Sequence, residues 1–194
     1  MTINLSRFLK GYLDYQNLEL FLEKEKGAGG MGESFFLVLI GQCLSFLALS
    51  LAFALGYSML PGWTSIPPGQ AIASFFVMAV IVNTAGFYIT AALVFAGSKL
   101  LGGKGAFGAQ AYLMGIVTFA AAVVSSPFIV LVVLLSQDAL ALLPQLAALV
   151  LGLYQLYAFY RLVRAAHGLS MLRALVVMLA ALIALWLLFS FTIG

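Results

Sequence analysis

Few side chains in this sequence could do chemistry, and their spacing limits what that chemistry is. There is one histidine, His167, and one cysteine, Cys43. The acids are Asp14, Glu19, Glu23, Glu25, Glu33 and Asp138, and none lies in the middle of an apolar run. General acid–base work needs paired titratable groups in one pocket. His167 sits in a basic stretch with no carboxylate near it in sequence, so it reads as an interfacial polar residue. Ser125 and Ser126 would need a base beside them to act as nucleophiles. His167 belongs to the far end of a span, about a membrane thickness of 30 Å away. Cys43 has no partner for a disulfide or a cysteine metal site and reads as a small apolar residue in a helix interface. The sequence therefore predicts no catalytic residue, no cofactor and no metal.

Two basic arrangements remain. Residues 98–110, SKLLGGKGAFGAQ, pack Lys99 and Lys104 among Gly102, Gly103, Gly105 and Gly108. A phosphate-cradling P-loop requires Ser or Thr after the lysine, and Gly105 stands there. What is left is either an anion site built from glycine amides at a helix N-terminus, or a sharp turn whose lysines set topology. Further on, Tyr154, Tyr157, Arg161 and Arg164 fall at i, i+3, i+7 and i+10, one stripe of a helix. The stripe is either an aromatic belt with snorkelling arginines or, together with Lys99, Lys104 and Arg173, a binding face for an anionic lipid head group or a partner protein. Asn83, Thr90, Gln110, Gln145 and Gln155 are polar residues within or bordering the apolar runs. They serve helix packing or line a neutral path.

The elements that hold these residues are membrane helices. The chain of 194 residues is 64% hydrophobic and 8% charged, with a mean hydropathy of +1.16, whereas a soluble domain is about a quarter charged. A hydrocarbon core of about 30 Å takes ~20 apolar residues in helix. The runs predict an all-α integral membrane protein with five spans, at 34–59, 71–97, 109–136, 139–160 and 174–191. Pro61, Gly62, Trp63, Pro67, Pro68 and Gly69 close the first span, Pro127 is a candidate kink in the third, and Gln137 and Asp138 form a tight turn. Residues 1–33 form a charged cytoplasmic tail with a short amphipathic helix over 3–23, too polar for a signal peptide.

Charge sets the orientation. Arg7, Lys10, Lys24, Lys26, Lys99, Lys104, Arg161, Arg164 and Arg173 all fall on one side of a five-span map. The N-terminus is therefore inside and the C-terminus outside. The net charge of +3 serves topology, and no nucleic-acid partner is expected. Spans without acids or bases argue against proton- or ion-coupled transport. Small residues recur at a three-four spacing in each span, for example Gly41, Ser45 and Ala48, then Asn83, Gly86 and Thr90, then Gly108, Ala111, Gly115, Thr118 and Ala122, then Gln145, Ala148, Gly152 and Gln155. Such seams let helix backbones approach in lipid, and they predict a tight core of the first four spans with the fifth peripheral or lining a partner.

LLGGKGAFGAQAYLM and LYAFYRLVRAAHGLSMLRALVVMLAAL, with a Gly-Gly-Lys-Gly turn entering one span and an HGLS turn before an Ala-led last span, resemble the Yip domain family of Ypt/Rab-GTPase-interacting membrane proteins. The likeness runs from Ser34 to the C-terminus. It implies five spans and a role in membrane organisation or trafficking, and it identifies no reaction. The eukaryotic branch has a longer N-terminal region with an Asp-Leu-x-Gly-Pro type motif, and in its third span a Gly-Tyr closely followed by proline. Here the tail lacks the motif, Tyr112 follows Ala111, and the proline is Pro127. These departures argue against binding of prenylated Rab GTPases. The compact form is similar to prokaryotic members, which implies the cytoplasmic (inner) membrane. The expected partners are membrane lipids, another membrane or membrane-associated protein, or a second copy of the chain. A small permease, channel or lipid translocator is the competing reading.

Overall fold

The computed structural model describes residues 5–54, 68–135 and 142–193. Among these are seven helices and no strand: α1 (Leu5–Leu13), α2 (Leu18–Glu25), α3 (Met31–Ala54), α4 (Pro68–Leu100), α5 (Phe107–Leu135), α6 (Leu142–His167) and α7 (Met171–Ile193). The last five are long and apolar enough to cross a membrane, as the hydrophobic runs require. The turns expected at Pro61, Gly62, Trp63 and Pro67, and at Gln137 and Asp138, lie outside the described residues. Pro68 begins α4 instead of closing a turn, a position where its missing N–H costs no helical bond. Pro127 lies within α5, which runs on to Leu135.

The fourth span differs most from expectation. α6 does not stop near Tyr160 but continues to His167, so Arg161, Arg164 and His167 are helical, not loop, residues. Leu162, Val163, Ala165 and Ala166 are buried, which continues the helix on packing grounds. Gly168, at φ +65°, ends it.

Small residues set the central helix pair. α3 and α5 run in the same direction. A Cβ on Gly115 would lie 3.1 Å from the Ser34 Cα, and one on Gly41 would lie 3.4 Å from the Phe119 Cα. Backbones this close gain dispersion contact and keep lipid out. Glu33 caps the start of α3 by accepting the Gly30 N–H at 2.9 Å. α4 runs antiparallel to α5, and α7 lies along α4, with Val177 3.5 Å from a Cβ built on Gly97. The expected packing order is thus corrected. α7 is no more peripheral than α4 or α6, since it buries Ala174, Val177 and Ala181 while, like them, exposing most of its surface. The seams of α4 and α6 are partly uncovered, since Asn83 is exposed and Gly86 and Gly152 meet nothing within 4 Å.

The N-terminal segment also departs from expectation. In place of one helix over 3–23 there are two, α1 and α2, folded as an antiparallel hairpin. The reversal is made by Asp14, whose carboxylate accepts the Asn17 N–H at 3.2 Å and the Asn17 Nδ2 at 3.0 Å. Phe8, Tyr12, Leu18 and Leu22 are buried, and Arg7 pairs with the buried Glu25. The hairpin packs along α6 and α5.

Candidate functional site

One end of the bundle holds the connections 101–106 and 168–170, the start of α3 and the N-terminal hairpin. The basic residues singled out in the sequence gather there, in two groups.

The first group is the Tyr–Arg stripe of α6. A ten-residue advance on a helix returns side chains to one face, and this face receives the hairpin. The Tyr154 hydroxyl donates to the Tyr12 carbonyl, and the Tyr157 hydroxyl donates to the Tyr15 carbonyl at 3.1 Å. These acceptors lie in the last turn of α1 and just beyond it, where carbonyls lack partners within the helix. The Tyr12 and Tyr154 rings meet edge to face, with centroids 5.1 Å apart. Burial, followed by the neighbouring Tyr154 hydroxyl, pushes the Tyr12 hydroxyl well above the usual tyrosine pKa. Beyond the tyrosines, Arg161 and Arg164 both pair with Glu19, the latter at 3.1 Å. Arg161 also donates from Nε to the Tyr157 oxygen at 2.8 Å. One carboxylate thus ties α2 to two arginines of α6. Lys26 adds a hydrogen bond from Nζ to the Ala165 carbonyl at 3.2 Å.

The second group surrounds the glycine turn. Gly102 has φ +86°, a conformation costly for other residues. The Gly103 N–H bonds the Ser98 carbonyl at 2.8 Å and the Lys104 N–H bonds the His167 carbonyl at 3.1 Å. Both amides are therefore spent within the chain instead of being offered to an anion. A Cβ on Gly105 would sit 2.3 Å from the Ala166 carbonyl oxygen and 2.9 Å from the His167 Nδ1, so only glycine lets the turn lie on the end of α6. Lys99 and Lys104 are exposed. The Lys99 ammonium lies 5.4 Å from the Phe95 ring centroid. Arg173 is also exposed and donates to the Leu101 carbonyl at 3.3 Å.

His167 is buried, not interfacial, with 2% of its surface exposed. Gln110 donates its Nε2 to the Ala91 carbonyl at 2.8 Å. Its oxygen therefore faces His167, 2.6 Å away, and the imidazole donates from Nε2. This chain of bonds joins α4, α5 and α6. Gln110 is thus a buried strut and not part of an open path. Of the other polar residues, Thr90 and Gln155 line a cavity of about 220 Å³ among α4, α5, α6 and α7. Thr90 also donates to the Gly86 carbonyl at 2.7 Å, while Asn83 and Gln145 are exposed elsewhere.

Sequence reasoning found the stripe and the turn but missed Tyr12, Tyr15 and Glu19 as their partners. Periodicity marks α6 as having a polar face and carries no information on what covers it. Among the described residues, no group of three or more His, Cys, Asp or Glu could hold a metal.

The family model described as Yip1 domain matches residues 23–194. No curated protein and no solved structure matches the chain.

Proposed function

The chain belongs to the Yip1 domain family, and from that membership we propose that it is a non-enzymatic membrane scaffold whose basic loop end binds anionic lipid. One observation carries this reading. Arg161 and Arg164 share the Glu19 carboxylate, which offsets one of their two charges, whereas the exposed Lys99, Lys104 and Arg173 pair with no carboxylate among the described residues. Three uncompensated cations beside a membrane attract acidic head groups, by about 1 kcal/mol each. In this reading the loop end is cytoplasmic, the C-terminus is outside, and the membrane is the cytoplasmic one of a prokaryote. A membrane-associated protein or a second copy of the chain could share the same face.

The test is the lipid retained after gentle purification, read by mass spectrometry. Joint replacement of Lys99, Lys104 and Arg173 by glutamine should lower the affinity for phosphatidylglycerol by about 100-fold, the sum of three such attractions. It should leave zwitterionic lipid unchanged. Equal retention of acidic lipid by both proteins would sink the proposal.

A permease or lipid translocator is disfavoured because its polar residues do not join. Thr90 and Gln155 share a cavity, Gln110 is locked to His167 and Ala91, and Asn83 and Gln145 face elsewhere. Solute flux or lipid scrambling in reconstituted liposomes would overturn the scaffold reading.

A further inference from the structure

We propose that the α1–α2 hairpin lies within the leaflet at the loop end of the bundle and makes the protein a wedge, broader in that leaflet than in the other. The inference rests on the chain spanning a membrane and does not depend on anionic lipid binding.

Depth comes first. The hairpin is pinned to α6 at both extremes, by Lys26 on the Ala165 carbonyl and by the Tyr154 hydroxyl on Tyr12. The stretch of α6 from Ala165 back to Tyr154 is about 16 Å long at ~1.5 Å rise per residue. One leaflet holds about 15 Å of hydrocarbon. The hairpin's tip therefore hangs about a leaflet below the level of the loops. On the other flank, apolar surface runs right up to that level: Leu100, Met171 and Leu172 are 86%, 69% and 71% exposed. Interleaved with the exposed Lys99 and Arg173, those side chains mark the loop level as the head-group boundary, with the hairpin below it.

The hairpin's own residues fit that position. Its buried face holds Phe8, Tyr12, Leu18 and Leu22. Leu13, Tyr15 and Leu20, around the tip, are exposed, and Lys24 and Lys26 lie at the end nearer the loops. An exposed apolar surface flanked by charges, with Lys10 one turn before the tip and Asp14 at it, is the pattern of a segment seated in the membrane interface. The polar groups at the tip satisfy one another. Asn17 donates twice to Asp14, and Gln16 donates to the Tyr15 hydroxyl at 2.9 Å. Internal pairing of this kind is what a backbone reversal needs where water is scarce.

The consequence is geometric. Among the described residues, the loop-end leaflet is crossed by five spanning helices plus two more, and the opposite leaflet by the five alone. A helix with its side chains is about 10 Å wide, so the added pair enlarges one leaflet's cross-section substantially. The body then fits best where the loop-end leaflet is convex.

Two measurements test this on the full chain carrying Cys43→Ala. A fluorophore is placed at Gln16→Cys, at Ile183→Cys on the lipid-facing side of α7, or at Lys24→Cys, in bilayers whose acyl chains carry bromine. Quenching at Gln16 comparable to that at Ile183, and weaker at Lys24, is expected; an unquenched Gln16 probe would overturn the insertion. The second measurement reads orientation, by labelling Lys24→Cys with a membrane-impermeant reagent after reconstitution into small sonicated or large extruded vesicles. Small vesicles should hold an excess of copies with the loop end outward of about threefold, roughly half of a tenfold change on the free-energy scale. Large vesicles should show none. Glu19→Lys, which sets a third cation against Arg161 and Arg164 and releases the hairpin, should abolish the excess. The same orientation ratio in both vesicle sizes would overturn the wedge while leaving the lipid contacts of Lys99, Lys104 and Arg173 standing.

Discussion

Gly105 and His167 illustrate what a single residue decides in this protein. The glycine turn is tight because the Ala166 carbonyl and the His167 ring occupy the space a side chain would need. Gly105→Ala should therefore force backbone to move, costing about 2 kcal/mol or more and lowering the melting temperature in detergent by about 5 °C. Gly152→Ala, with nothing within 4 Å of its Cβ, should leave melting unchanged. Gln110→Leu would strand the His167 Nε2–H and remove the second bond to the Ala91 carbonyl, for about 1–2 kcal/mol, again read by thermal unfolding. The tightness of SKLLGGKGAFGAQ was legible, because four glycines in so short a segment signal close backbone approach. Its partner was not legible, since the contact comes from a residue far along the chain.

At the scale of elements, the stripe on α6 is a docking face for the chain's own hairpin. Its ion pairs are partly exposed, with arginine side chains 26% and 28% accessible, so each contributes less than a buried pair would. Glu19→Gln combined with Tyr154→Phe and Tyr157→Phe should shift docking by about 1–2 kcal/mol. Trypsin should then cut at Lys10 and Lys24 about tenfold faster, while cleavage elsewhere stays constant. Hydrophobic periodicity found the five long apolar helices, because a helix in lipid must be apolar over a fixed length. It underestimated α6, because Arg161 and Arg164 look like a span's end when their partner Glu19 is unseen. It read the hairpin as one helix, because the reversal depends on one Asp14–Asn17 interaction and not on composition.

For the whole molecule, the parallel α3–α5 pair was foreshadowed by Gly41 and Gly115, whereas the same seam logic failed for Asn83, Gly86 and Gly152. Small residues permit close approach without compelling it, and a seam can equally face lipid. The distribution of Lys and Arg predicts that a C-terminal reporter active only outside the cytoplasm will show activity. A reporter active only in the cytoplasm would contradict the five-span orientation.

The tyrosine contacts between α6 and the hairpin also impose an order on biosynthesis. The Tyr12 carbonyl meets its donor 142 residues later in the chain. At a translation rate of roughly 5–20 residues per second, the hairpin waits on the order of ten seconds after its own synthesis before its seat exists. Through that interval Phe8, Tyr12, Leu18 and Leu22 have no α6 to cover them, and the membrane surface is the apolar refuge at hand. A segment made before all five spans is thus among the last to be locked in place, and chains stalled before the fourth span should carry an undocked hairpin.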